Sequence, residues 1–229
     1  MTSPESHFQR ALNRTTPIWG VWITGPTLLG PEEFARAGYD YVGFDAQHGY
    51  LDDADIARIL RRIEHVPIGA VVRLPDADAA PIGRVAATRY PPLGVRSFGP
   101  LRASLGHRIA DLQSRVRVFA MIETAAALSG LSQICAVDGL AGLYVGPADL
   151  AISMGVEAVG AMKHSAVLDA IVRIQRAASE ARLVTGIHAG DGSTGRAMAR
   201  LGFQMITLAA ESQALRRGAA EHLREATGP

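Results

Sequence analysis

"GRVAATRYPPLGVRSFGP", residues 83–100, is where a repeating pattern breaks. On both sides of it the chain alternates short apolar runs with helical stretches. "IWGVWIT" (Ile18–Thr24), "YDYVGFDAQH" (Tyr39–His48) and "IGAVVRLPD" (Ile68–Asp76) precede it. "RVFAMIET" (Arg117–Thr124), "GLYVGPAD" (Gly142–Asp149), "LVTGIHAGD" (Leu183–Asp191) and "FQMITLAAES" (Phe203–Ser212) follow. Continuous apolar runs of this kind suit parallel strands covered on both faces. Between the third and fourth runs the spacing is about 50 residues, against about 20–40 elsewhere, so a whole β/α unit should fit there. The segment instead offers a helical piece, a Pro-Pro turn, a Gly-rich loop and another helix. "GVRSF" is its only candidate strand, and a poor one.

The helices between the runs carry their own signals. In "PEEFARAG", Pro31 suits a first helical turn and Gly38 a stop. In "LDDADIARILRRIEHV", Asp52 can cap, and Ile56, Ile59, Leu60 and Ile63 form one apolar face. Strand–helix alternation predicts an α/β protein, either a doubly wound sheet or a closed barrel. No Gly-x-Gly-x-x-Gly or Walker-type turn follows a strand, which removes the usual nucleotide-binding signal of the open sheet. The expectation is a TIM-type (β/α)8 barrel filling residues 1–229 as one domain, incomplete or rearranged, with about seven recognisable units.

Composition narrows the partners. Hydrophobic residues make up 48% and charged residues 20%, with a net charge of +1, so nothing favours nucleic acid or an anionic membrane. The single Cys135 excludes an intrachain disulfide and suits a reducing compartment. "MTSPESHFQRALNR" lacks an apolar signal core, and the expected location is the cytoplasm.

In parallel α/β folds, functional side chains collect at the carboxyl ends of strands. Here those ends carry Asp45, Gln47 and His48, then Arg73, Glu123 and Asp149. Glu123 and Asp149, from neighbouring strand ends, suggest a hard divalent cation with open positions for substrate oxygens. The competing reading makes Glu123 a cap of the following helix and Asp149 a loop or cap residue. His48 can act in acid–base chemistry, with Asp45 orienting it; a hydrogen-bonded structural histidine is the alternative. His188 stands at a strand end as a structural or pocket-lining residue. Arg73 follows an apolar run and needs an anion, either Asp76 or Asp45 or a substrate's enolate or carboxylate. The only lysine, Lys163, is not at a strand end, which argues against Schiff-base chemistry.

These stretches, with "GVWITGP", "ARAGYDYVGFDAQHG", "RYPPLGVRSFGP", "AMIET", "GPADLAISMG" and "GIHAG", resemble the HpcH/HpaI aldolase/citrate lyase family of metal-dependent class II pyruvate aldolases, in family order over nearly the whole chain. The resemblance implies a homo-oligomer, hexamer or trimer, of (β/α)8 barrels. It implies retro-aldol cleavage of a 4-hydroxy-2-oxo acid to pyruvate, or a related 2-oxo acid, and an aldehyde through a metal-stabilised enolate. It makes Glu123 and Asp149 ligands of Mg²⁺ or Mn²⁺, with Co²⁺ a further option. Arg73 would stabilise the enolate and His48, supported by Asp45, would move protons. The backbone of Gly146, Pro147 and Ala148 would cradle the carboxylate, with Trp22 and Gln47 at the substrate.

The chain departs from the family pattern in three places. The family usually has Glu where Gln47 stands, and some members have Gln at Met121. Roughly 20–25 residues, spanning the family's fourth strand, have no counterpart, in agreement with the spacing of a missing unit. A seven-strand closure, recruitment of "GVRSF" or poor folding are the outcomes open to such a chain. Two other functions remain: an impaired remnant that binds metal or 2-oxo acid or only oligomerises, and a citrate-lyase-like acyl-CoA or dicarboxylate lyase.

Overall fold

Each of the seven apolar runs forms a strand. A computed structural model describes residues 6–74, 89–99 and 107–228. The strands are β1 (Ile18–Ile23), β2 (Tyr41–Asp45), β3 (Gly69–Arg73), β4 (Phe119–Ile122), β5 (Gly142–Val145), β6 (Val184–His188) and β7 (Met205–Ala210). All pairings are parallel, in the order β3-β2-β1-β7-β6-β5-β4. The first and last strands therefore lie side by side at the centre, as in a closed barrel. Only β3 and β4 have one neighbour each among the described residues. Among the described residues this is a seven-stranded, curled α/β sheet, an incomplete TIM-type barrel whose break falls between the third and fourth runs, as predicted. "GVRSF" forms no strand, so the substitute-strand expectation is not met, and β3 and β4 do not pair to close a seven-stranded ring.

The helices are α1 (His7–Leu12), α2 (Gly30–Arg36), α3 (Asp53–Arg62), α4 (Ile109–Ser114), α5 (Ala125–Ser129), α6 (Leu131–Cys135), α7 (Pro147–Ser153), α8 (Ser165–Glu180), α9 (Gly192–Arg200) and α10 (Glu211–Thr227). Pro31 lies in the first turn of α2, where its missing N–H costs no bond. Asp52 caps α3 in a reciprocal capping box with Asp55. Among the described residues no helix is long and apolar enough to cross a membrane.

Side chains alternate across the sheet, giving an outer and an inner core. Outward residues such as Phe44, Ile122, Leu143 and Ile187 pack under the helices. Inward residues Tyr41, Tyr144 and Met205 form the barrel filling, and α1 closes the end where the strands begin, with Phe8 edge-on to Tyr41 at 6.1 Å. Tyr41 fits because Gly20 on the adjacent strand has no Cβ; one there would overlap the tyrosine ring. The phenols of Tyr41 and Tyr144 both meet Thr207 Oγ1, at 2.7 and 2.5 Å, which satisfies three buried hydroxyls with one another. Burial pushes both phenols well above their ordinary pKa, so both stay protonated.

Candidate active site

The strand "YVGFD" is buried throughout, and its last residue explains the polar run that follows. Asp45 Oδ1 accepts the backbone N–H of Gln47 and of His48, both at 3.0 Å. The carboxylate thus folds the turn that sets those two side chains at the carboxyl end of the barrel. Its other oxygen lies 3.7 Å from Arg73 Nη1 and 3.9 Å from His48 Nδ1. Asp45 is therefore a buried anion beneath the site, shared by a guanidinium and an imidazole.

Arg73 ends β3 and reaches across the break in the sheet. Its Nε donates to Gln47 Oε1 at 2.8 Å and its Nη2 to Glu123 Oε2 at 3.2 Å. Asp45 is the aspartate partner the sequence offered; Asp76, the other, lies outside the described residues. Glu123 follows β4 directly and does not cap the next helix. Thr124 does, its Oγ1 accepting from Ala127 N at 3.0 Å, which leaves the Glu123 carboxylate to the site. Burial pushes the Glu123 carboxyl up, and nearby Asp149 and Asp45 push the same way, against Arg73 and His48.

Asp149 stands four residues beyond β5, in the first turn of α7, rather than at the strand tip. The chain enters that helix through Gly146, Pro147 and Ala148. A Cβ on Gly146 would stand 2.9 Å from Glu123 Oε2 and 3.2 Å from Glu123 Cβ, so glycine there lets the carboxylate lie against the start of α7.

Gln47, His48, Arg73, Glu123 and Asp149 line one open cleft of about 220 Å³, together with Thr124, Ile152 and Ser153. Trp22 lies in the inner layer, edge-on to Tyr144 at 5.8 Å. His188 is also largely buried; its Nδ1 has no hydrogen-bond partner among the described residues, and burial, with Arg73 adding, holds its pKa below the ordinary value. Thr124, Ile152 and Ser153 are cleft residues that the sequence reading did not single out. Helical spacing held a signal for two of them, since Ile152 and Ser153 follow Asp149 by three and four residues and share its face.

The donor set suits a hard dication. Two carboxylates face one cleft, one of them partly desolvated and raised by the other, and a cation between them would relieve both effects. Among the described residues no three His, Cys, Asp or Glu side chains converge as a complete metal cage. The chain thus offers part of a coordination shell, with positions left for small oxygen ligands.

Comparison with known proteins agrees over most of the chain. The family model for the HpcH/HpaI aldolase/citrate lyase family matches residues 77–217. A hydroxypyruvate/pyruvate aldolase from Paraburkholderia phytofirmans is 31% identical over 248 residues, covering 93% of this chain and 95% of the relative. That alignment is longer than the 229-residue chain itself, so the relative has residues without a counterpart here. A 4-hydroxy-2-oxovalerate aldolase from Novosphingobium aromaticivorans is 32% identical over 218 residues, covering 83% and 81% of the two chains. The crystal structure of a family protein from Burkholderia cenocepacia superposes with a TM-score of 0.85 at 28% identity, covering 96% of this chain and 98% of that one.

Proposed function

The chain belongs to the HpcH/HpaI aldolase/citrate lyase family, and from that premise we propose that it is a carbon–carbon lyase that splits a 4-hydroxy-2-oxo acid into pyruvate, or a related 2-oxo acid, and an aldehyde. One observation carries the reading: Arg73 of β3 and Glu123 after β4 meet at 3.2 Å across the break in the sheet, in the same cleft as His48 and Asp149. The pieces of the site hold together although the wall behind them is interrupted.

Glu123 and Asp149 would hold a divalent cation, Mg²⁺ or Mn²⁺ with Co²⁺ a further option, which when bound would supply positive charge that stabilises the enolate. The remaining steps fall to the chain. His48 takes the proton from the 4-hydroxyl of the substrate, and Asp45, 3.9 Å from its Nδ1, orients the ring. The electrons of that O–H bond form the aldehyde carbonyl as the C3–C4 bond breaks. The C3–C4 pair passes into the 2-oxo acid fragment as an enolate, and a proton then returns to C3. Arg73 offers fixed N–H donors to the negative oxygen, while Asp45 and Gln47 hold the guanidinium in place. The substrate carboxylate would lie against the backbone at Gly146, Pro147 and Ala148, and Trp22 would support the floor of the pocket.

Assembly into a homo-oligomer belongs to the same reading. It is supported by α10, a 17-residue helix that buries none of its residues and leaves Leu215 and Leu223 exposed. A rival reading, a remnant that binds without turnover, takes its support from the edges of β3 and β4, which are unpaired among the described residues. The test is pyruvate release from 4-hydroxy-2-oxovalerate by purified, monodisperse protein with and without Mn²⁺. Metal-dependent release is the expected result; metal binding without release would establish the remnant.

A further inference from the structure

Glu123 and Asp149 reach the cleft from two different segments of chain. Glu123 lies in the turn between β4 and α5, and Asp149 in the first turn of α7. Burial raises the Glu123 carboxyl and the Asp149 charge adds to it, so like charge pushes the two carboxylates apart. Residues 122–125 and 146–153 are nevertheless tied together at both ends. At one end Ile122 pairs with Val145 in the sheet, and Gly146 N donates to Ile122 O at 3.4 Å. At the other end Ala125 N donates to Ser153 Oγ at 2.9 Å. Glu123 sits between the two ties on one segment, and Asp149 between them on the other.

The second tie joins residues 28 apart in the chain. Ala125 opens α5, where a helix has no internal partner for the N–H. Thr124 takes the N–H of Ala127, so the Ser153 hydroxyl serves a donor that the cap of α5 leaves open. Ser153 is the last residue of α7, one turn beyond Asp149 and on the same face. Leu150 and Ala151, on the other side of α7, are fully buried in the outer core. Packing thus fixes α7 from behind, and the Ser153 hydrogen bond fixes it from the cleft.

Resting on the lyase reading above and its cation at Glu123 and Asp149, we propose that Ser153 is a positioning residue for that cation site: its hydrogen bond to Ala125 N sets the spacing of the two carboxylates. Ser153 acts through the backbone that carries Glu123. Partners that orient metal ligands typically contribute about 10- to 100-fold in metal affinity. Water competes for this exposed bond, so the lower end applies.

The test is Mn²⁺ binding by the chelator-stripped full chain, followed through the electron paramagnetic resonance signal of free Mn²⁺. Wild type, Ser153→Ala and Ser153→Thr are compared, with urea unfolding of each. Ser153→Ala should raise the Mn²⁺ Kd about tenfold. Ser153→Thr, which keeps the hydroxyl, should bind Mn²⁺ as wild type does. An unchanged Kd in Ser153→Ala, even with a lower unfolding midpoint, overturns the proposal, because a merely structural hydrogen bond gives that pattern. Equal weakening in both variants overturns it too, because the hydroxyl would not be the cause. Mn²⁺ binding by wild type separates the levels. Binding with an unchanged Ser153→Ala sinks the role of Ser153 alone, whereas folded wild type that binds no Mn²⁺ sinks the cation of the lyase reading and this proposal with it.

Discussion

The wall of the barrel is built in two ways. At its centre, β7, β1 and β2 each pair on both sides, and β2 is buried along its whole length. Opposite, β3 and β4 each pair on one side among the described residues, and most of their residues are only partly buried or exposed. The inner core follows the same gradient. Tyr41 on β2 and Met205 on β7 are fully enclosed, while Val71 and Met121, on the strands beside the break, are partly covered. Yet the proposed site gathers at the weaker part, where Arg73 ends β3 and Glu123 follows β4. A side chain at a strand tip is placed by its own turn and by polar partners, so it survives the loss of a strand beside it better than the packing below does.

A matched pair of substitutions probes the packing side of this contrast. Met205 and Met121 face the same inner core, one on the continuous wall and one on the edge strand. Met205→Ala should cost about 2–5 kcal/mol and Met121→Ala less than about 2 kcal/mol, because the partly covered site loses less apolar contact and leaves a smaller cavity. Urea unfolding of both variants measures the difference. Equal costs would mean that the core near the break is as well packed as the centre.

The site side of the contrast is probed by Arg73→Gln. It removes the cation that faces Glu123 and Asp45 while keeping a polar side chain. Pyruvate release should fall about 100- to 1,000-fold, as when one preorganised donor to a developing oxyanion is lost. The helical fold, followed by circular dichroism, should persist. A loss of structure matching the loss of activity would show that the bond across the break holds the fold together rather than the chemistry.

The smallest effect belongs to the well-ordered flank. Asp191 caps α9, its Oδ1 accepting from Ser193 N at 2.7 Å and Thr194 N at 2.9 Å. Hydrogen bonds from the Ser193 and Thr194 side chains and backbone hold its carboxyl well below the usual carboxylate range. A lowered folded-state pKa stabilises above the ordinary carboxylate pKa of about 4 and is lost as pH falls below it. Asp191→Ala should therefore cost about 1 kcal/mol at pH 7, and the gap between wild type and variant should narrow in acid. A constant difference from pH 7 to pH 3 would contradict this account of the cap.

Much of this was legible in the chain. All seven strands stand within the apolar runs, because continuous Val, Ile, Leu and Phe between polar breaks suits only buried parallel strands here. The break was legible as spacing. The fate of "GVRSF" was not, since five residues with an arginine and a serine at their centre carry no decisive period. Gln47, His48, Arg73, Glu123 and Asp149 come together as their places at strand ends implied. The choice between Glu123 as metal ligand and Glu123 as helix cap was open, because it sits just before "AAALS", and only the geometry shows that the Thr124 hydroxyl takes the helix N–H instead. Asp149 was read at a strand tip because "GLYVGPAD" continues past Val145, where Pro147 in fact starts a helix.

On this reading Arg73 and Glu123, from the two strands flanking the break, form one working centre. Deuterium exchange into the methyl group of pyruvate, followed by proton NMR with Mn²⁺ and again with a chelator, tests it without reference to any aldehyde. Exchange that requires the metal and is lost in both Glu123→Ala and Arg73→Ala is the expected result. Absence of exchange from folded, metal-loaded wild type, or exchange that survives both substitutions, would contradict it.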